Sequence, residues 1–311
     1  DRLRETAGIA ATADDVIVTA GGNHAFTLAG ATLVGPGDEV VLPAPLFTNQ
    51  DMAVRTCGGN AIEVPIADLD TFAVRWTDLE PHLTPATKAV VLCTPSNPTG
   101  AVIDANEGRL IVSELGRRNI FVISDETYMQ FVYGRSHWSA ASVQGWRKNV
   151  VVVGTFSKCF GMMGWRVGYM LADAAVCVEA VKVQDAMIIC APVISQIAAE
   201  AGVRESWDHP RAFHAGLLER RQAMIEGVAR IPRMRWTPAD GAFFGFVRVG
   251  GCNDSAALAE DLLEQAHVVT IPGSAFGRSG EGHLRLSYGS APVEAVCEAM
   301  ARIERYFENP S

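Results

Sequence analysis

Lys158 stands in a polar turn after the apolar run Val150 to Gly154, with Thr155 and Ser157 ahead of it and Arg166 eight residues beyond. A primary amine among apolar neighbours loses hydration, so its charged form is disfavoured and its pKa falls, the condition for a lysine that attacks a carbonyl. A surface lysine in a glycine-rich turn is the competing reading of the same residues. Asp125, with Glu126 and Tyr128, follows the apolar run Ile120 to Ile123. An acid straight after such a run is costly unless partnered, and the partners open to it are a helix cap, a metal or a protonated heterocyclic nitrogen. A metal is disfavoured because no spaced His or Cys cluster accompanies it. Asn97 lies in TPSNPTG, where two prolines and a glycine hold its amide in place. Gly21, Gly22 and Asn23 separate VIVTA from a helical stretch, and free N–H groups at such a helix start suit an anion, a phosphate above all. Most such turns simply turn, and this one has neither a P-loop lysine nor GxGxxG. Phe47 follows Pro43, Ala44 and Pro45 and can stack on a flat ligand or pack in a core.

The elements that must position these residues read as strand ends. Val16–Ala20, Glu39–Leu42, Ala61–Pro65, Ala89–Cys93, Ile120–Ile123 and the run from Val150 have strand composition, and helical patterns fall at His24–Val34 and Arg109–Arg118. In an open α/β sheet, loops at the carboxyl ends of the strands face the ligand crevice. Helices follow at Ala174–Val183, Ile194–Val203 and Pro210–Arg230. The rhythm then changes to an antiparallel pattern over Met234–Val249, a helix over Ser255–Gln265, short strands at Val268–Ile271 and His283–Ser287, and a closing helix to Phe307. The pattern predicts an α/β fold: a mostly parallel-sheet large domain over residues 1–215 and a smaller α+β C-terminal domain over 216–311, divided within the long helix.

At 311 residues and 49% hydrophobic, the chain has material for a sizeable core and two domains. A net charge of -9 with interspersed signs argues against a nucleic-acid partner, and no apolar run reaches membrane-spanning length. Seven scattered cysteines without CxxC spacing indicate neither a disulfide framework nor a zinc site, and fit a reducing cytoplasm.

Taken in order, TAGGNHA, PSNPTG, SDETY, TFSKCFGMMGWRVGY and HLRLSYG give the chain a resemblance to the class I/II aminotransferases, fold type I enzymes of the aspartate aminotransferase superfamily that depend on pyridoxal 5'-phosphate. The resemblance runs from about Leu3 to the end, and SK…GWR is its most specific part. It implies an amino-group transfer between an L-amino acid and a 2-oxo acid by a ping-pong course. Lys158 would form the internal aldimine and move the proton between Cα and the cofactor. Asp125 would face the pyridine nitrogen, Asn97 and Tyr128 the ring's 3'-oxygen, and Phe47 the ring face. Arg166, Thr155, Ser157 and the backbone at Gly22 and Asn23 would hold the phosphate. Arg285, with Asn97, would take the substrate carboxylate. The resemblance further implies a homodimer, with amino-acid and oxo-acid substrates.

Family members carry several dozen residues ahead of the position matching Leu3, so the expectation is a piece of a longer product. Some members that accept acidic substrates place a lysine where Asn23 stands, and neither Asn23 nor His24 supplies a permanent charge. Two further readings share the cofactor contacts: a Cβ lyase, such as a carbon–sulfur lyase, and a non-catalytic pyridoxal-phosphate-binding regulatory module. A dinucleotide binder is disfavoured by the lack of its glycine fingerprint.

Overall fold

The computed structural model describes residues 8–205 and 207–308. Seven strands, β1 (Val16–Thr19), β2 (Glu39–Ala44), β3 (Asn60–Pro65), β4 (Thr87–Cys93), β5 (Phe121–Asp125), β6 (Val150–Thr155) and β7 (Gly168–Leu171), form one sheet in the order β1-β7-β6-β5-β4-β2-β3. Only β7 runs against its neighbours; the pairs from β6 through β3 are parallel. The strands are apolar throughout because both faces are covered. Alternate residues divide cleanly between the two sides. Val41, Val90, Leu92, Val122 and Val152 enter one core with Ile111 and Leu115. Val40, Leu42, Val91, Ile123, Val151 and Val153 enter the other with Ala25, Leu28, Val54 and Ala180.

The helices are α1 (Gly22–Leu33), α2 (Thr48–Thr56), α3 (Trp76–Leu79), α4 (Ala105–Arg117), α5 (Ala174–Met187), α6 (Val193–Glu205), α7 (Asp208–Arg230), α8 (Ser255–Ala266) and α9 (Val293–Glu308). A second, antiparallel sheet has the order β10-β11-β9-β8, from β8 (Met234–Arg235), β9 (Phe244–Val249), β10 (Ile271–Pro272) and β11 (His283–Ser287). Val247, Leu284 and Leu286 of this sheet share a core with Leu217 and Met224 of α7, Leu262 of α8, and Met300 and Ile303 of α9.

The architecture is the expected one, with local differences, among them the short helix α3, which lies where no element is expected. Helix α2 does so too, because only Gln50 and Val54 of its nine residues are buried and its apolar stripe is correspondingly thin. Strand β7 emerges beyond Arg166, inside the stretch expected to supply one strand. The strand expected over Val268–Ile271 is confined to Ile271–Pro272. Its first residues instead close α8, with His267 left-handed at φ 54 and Val268 N–H donating to the Leu262 carbonyl at 3.1 Å.

Candidate active site

Strand β5 ends in two adjacent carboxylates that reach opposite surroundings. Asp125 is 8% exposed. Its Oδ2 accepts from Gln50 Nε2 at 2.8 Å and its Oδ1 from the Thr127 N–H at 3.1 Å. Both donors are neutral. Burial pushes the Asp125 carboxyl above the usual range, and the bonds from Thr127 and Gln50 pull the other way. Tyr128 follows, buried edge-on against Phe243 and Phe244 at 5.3 and 5.4 Å, and burial drives its phenol upward, which keeps it protonated.

Beyond β6 the chain makes the turn that carries Lys158. Thr155 Oγ1 donates to Ser157 Oγ at 2.9 Å, while the Ser157 N–H donates to Thr155 Oγ1 at 3.1 Å, and these bonds fix the turn. Lys158 Nζ lies 5.9 Å from the Tyr128 ring centre. Burial lowers its pKa, and the nearby Arg285 and Arg166 guanidinium groups lower it further. Arg166 is held left-handed at φ 50 and donates to the Met163 and Ala20 carbonyls at 2.9 and 3.2 Å. That places its guanidinium over the entry to α1. A Cβ on Gly21, at φ 89, would lie 2.3 Å from Arg166 Nη2, so only glycine admits this approach. Helix α1 has no side-chain cap, which leaves its first N–H groups, at Gly22 and Asn23, to an external acceptor. His24 turns back, its Nδ1 accepting from the Ala20 N–H at 3.0 Å, and burial lowers its pKa.

Arg285 reaches the same space from the second sheet. Its guanidinium carbon lies 4.6 Å from the Phe244 ring centre and 5.1 Å from that of Phe276, and its Nη1 donates to Asn97 Oδ1 at 2.8 Å. Asn97 is buried in a loop closed by bonds from Ser96 N to the Ala101 carbonyl and from Gly100 N to the Ser96 carbonyl, both 2.9 Å.

All eleven residues singled out from the sequence, Gly22, Asn23, Phe47, Asn97, Asp125, Tyr128, Thr155, Ser157, Lys158, Arg166 and Arg285, line one cavity of about 790 Å³. A profile of the family "Aminotransferase class I and II" matches residues 2–303. The chain belongs to this family. An aromatic-amino-acid aminotransferase of Thermococcus litoralis is 33% identical over 93% of this chain and 75% of its own length. An aspartate aminotransferase of Pyrococcus horikoshii is 32% identical over 97% and 77%. The crystal structure of an aromatic aminotransferase from Pyrococcus horikoshii superposes with a TM-score of 0.94 at 32% identity, covering 99% of this chain and 83% of that one.

As a class I and II aminotransferase, the chain is a transaminase dependent on pyridoxal 5'-phosphate, and the expected family, fold and cofactor are met. The cavity fits that cofactor on its own terms. It offers a buried carboxylate supported only by neutral donors, an anion cradle of uncapped helix N–H groups with an arginine over it, and an amine biased toward its neutral form. Sequence reasoning missed Gln50, Thr127, Phe243, Phe244 and Phe276. Asking what partners a buried acid must have points toward Gln50 and Thr127; the three phenylalanines carry no local signal, since their placement depends on how the second sheet meets the first.

Proposed function

We propose that Lys158, Asp125 and Tyr128 are the catalytic groups, that Gly22, Asn23, Phe47, Asn97, Thr155, Ser157 and Arg166 help hold the cofactor, and that Arg285 with Asn97 binds the α-carboxylate shared by amino-acid and 2-oxo-acid substrates. The convergence of an amine, a buried carboxylate, an anion cradle and a stacked guanidinium on one cavity carries this reading. Bound pyridoxal 5'-phosphate supplies an electron sink, a protonated heteroaromatic ring that takes up the charge left when the substrate Cα loses its proton. Asp125 supplies the counter-charge that keeps a ring nitrogen protonated. Lys158, its neutral form favoured by burial and two guanidinium groups, accepts the Cα proton and moves it between Cα and the cofactor. Arg285 is held between two aromatic faces, so its fork is ready before the carboxylate arrives and little side-chain entropy is lost on binding.

The deciding experiment is a visible absorption spectrum of the protein with pyridoxal 5'-phosphate, before and after adding single amino acids without an oxo acid. The expected result is a band that converts with particular amino acids and returns when an oxo acid is added. A band that no amino acid alters overturns the assignment of roles, and the amino acids that work name the donor class.

We also place the division between the large and small domains within α7, between residues 215 and 216, on the ground that Leu217, Met224 and Val228 pack with the second sheet. A homodimer is the assembly we propose. Helices α5 and α6 and the turn between them expose Val178, Val181, Ile189, Val193, Ile194 and Ile197, apolar area that a second copy would cover. Sedimentation velocity tests it. A reducing cytoplasm is the compartment that suits its seven free cysteines.

A further inference from the structure

Gln50 lies in the first turn of α2, is 3% exposed, and spends its side-chain N–H on Asp125 Oδ2 at 2.8 Å. Two observations set it apart from an amide that merely fills space. The segment carrying it is fastened to the turn over Gly273–Phe276 and within itself: the Leu46 N–H donates to the Phe276 carbonyl at 2.9 Å, Thr48 Oγ1 donates to the Ala275 carbonyl, and the Gln50 N–H donates to the Phe47 carbonyl at 2.8 Å. The amide is therefore delivered to Asp125 by backbone bonds rather than by its own flexibility. In addition, the two residues that donate hydrogen bonds to the Asp125 oxygens, Gln50 and Thr127, are neutral. Among the described residues, the titratable groups seen to act on it are the Cys93 thiol from β4, the adjacent Glu126, and the Tyr128 and Tyr169 phenols; the cations Lys158, Arg166 and Arg285 line the same cavity without an ion pair to it.

We propose that Gln50 is the positioning residue for Asp125, a buried neutral donor that orients the carboxylate and favours its ionised form while leaving the whole counter-charge to the cofactor. The inference rests on the reading that Asp125 meets the cofactor's ring nitrogen. A lysine or arginine in place of Gln50 would orient the carboxylate equally well but would neutralise it, removing the reason for a ring proton to remain. An apolar residue would leave one oxygen without a donor and hold the carboxyl protonated to higher pH.

The sign of the effect follows. A hydrogen bond to the ionised form lowers a carboxyl pKa, so deleting it raises the pKa of Asp125 in the cofactor-free protein. Cofactor retention then fails at a higher pH as the solution is acidified. A purely structural contribution of Gln50 would weaken retention by the same factor at every pH.

The test is equilibrium dialysis of pyridoxal 5'-phosphate against the full chain and its variants over a pH series, with thermal midpoints to confirm folding. Gln50→Leu is expected to weaken retention roughly tenfold to a hundredfold at neutral pH, the scale of a hydrogen bond to a buried charge, and to move the pH midpoint upward. Gln50→Glu keeps the shape, sets a second carboxyl against the first, and is expected to move the midpoint further; it carries the test if Gln50→Leu does not fold. Lys158 is present in every variant, so its own titration drops out of the differences. Equal weakening at every pH, or wild-type behaviour in Gln50→Glu, overturns the proposal. Wild-type retention in Asp125→Asn overturns the reading beneath it, and this is distinct from a result in which Asp125→Asn loses the cofactor while both Gln50 variants behave as wild type.

Discussion

Asp125 and Glu126 are neighbours in the chain, both buried, and satisfied in opposite ways. Glu126, 1% exposed, accepts from Ser124 Oγ at 2.9 Å, Ser139 Oγ at 2.9 Å and the Ala140 N–H at 3.0 Å on one oxygen, and sits 3.0 Å from His137 Nε2 on the other. Asp125 accepts only from the neutral groups of Gln50 and Thr127 and lines the cavity. A carboxylate has roughly four lone-pair sites. At Glu126 the chain fills them itself, knotting the residues around Ser139 to the end of β5. At Asp125 it supplies neutral donors alone and leaves the charge without a cationic partner. A carboxylate saturated by its own protein is a fastening, and one left short of a cation is a binding group awaiting its partner.

Asp125→Asn tests the cavity side of this contrast and carries the largest expected effect, a fall in kcat/KM of roughly 10²–10⁴-fold, the scale of breaking a buried charge pair. The fold should be spared. Because the Asp125 pKa is raised in the folded chain, its contribution to stability is fully present below its unfolded pKa and is lost as pH rises through the folded one. At neutral pH the cofactor-free variant should therefore melt at or above the wild-type midpoint. Glu126→Leu tests the other side. It strands donors on Ser124, Ser139, Ala140 and His137, and should cost about 3–5 kcal/mol of stability in denaturant melts. The fraction that remains folded should keep its cofactor spectrum. If the two substitutions exchange phenotypes, the division between fastening and binding group is wrong.

The same division marks how far the sequence could be read. Strand positions were legible because Val90–Leu92, Val122–Ile123 and Val150–Val153 are apolar without interruption, and strand ends of an open sheet locate a crevice. The lysine turn, the glycine turn and Asp125 stood at those ends. What the sequence hid was long-range. Gln50 reaches Asp125 across 75 residues, and Arg285 reaches Asn97 across 188. Both contacts depend on how one element sits against another, which no local pattern encodes. Helix α2 was hidden for a related reason: only Gln50 and Val54 are buried, and the first of these is polar. Left-handed Arg166 was legible as a charge but not as a bent backbone that brings its guanidinium over Gly21.

Arg285→Lys extends the contrast to the second sheet with a smaller effect. A lysine keeps the charge but loses the fork and the stacking between Phe244 and Phe276, so KM for both substrates should rise about tenfold to a hundredfold while the cofactor spectrum is unchanged. An unchanged KM would remove Arg285 from the binding side of the division.

The smallest effect is a displacement on the pH axis. Lys158 is the cationic counterpart of Asp125: burial, then Arg285 and Arg166, lower its pKa, just as burial raises that of the acid. Only the neutral amine attacks a carbonyl, so the rate at which added pyridoxal 5'-phosphate becomes attached to the cofactor-free chain should rise with pH and level off at a midpoint below that of an ordinary lysine. Arg285→Leu removes one of the two positive neighbours and should move that midpoint back upward, toward the ordinary value. Arg285→Lys keeps a charge nearby and should move it less. Stopped-flow absorbance across a pH series measures all three. An attachment rate that rises with the midpoint of an ordinary lysine in the wild type, or a midpoint that Arg285→Leu leaves in place, would mean that the amine is as well solvated as a surface lysine and belongs with neither carboxylate.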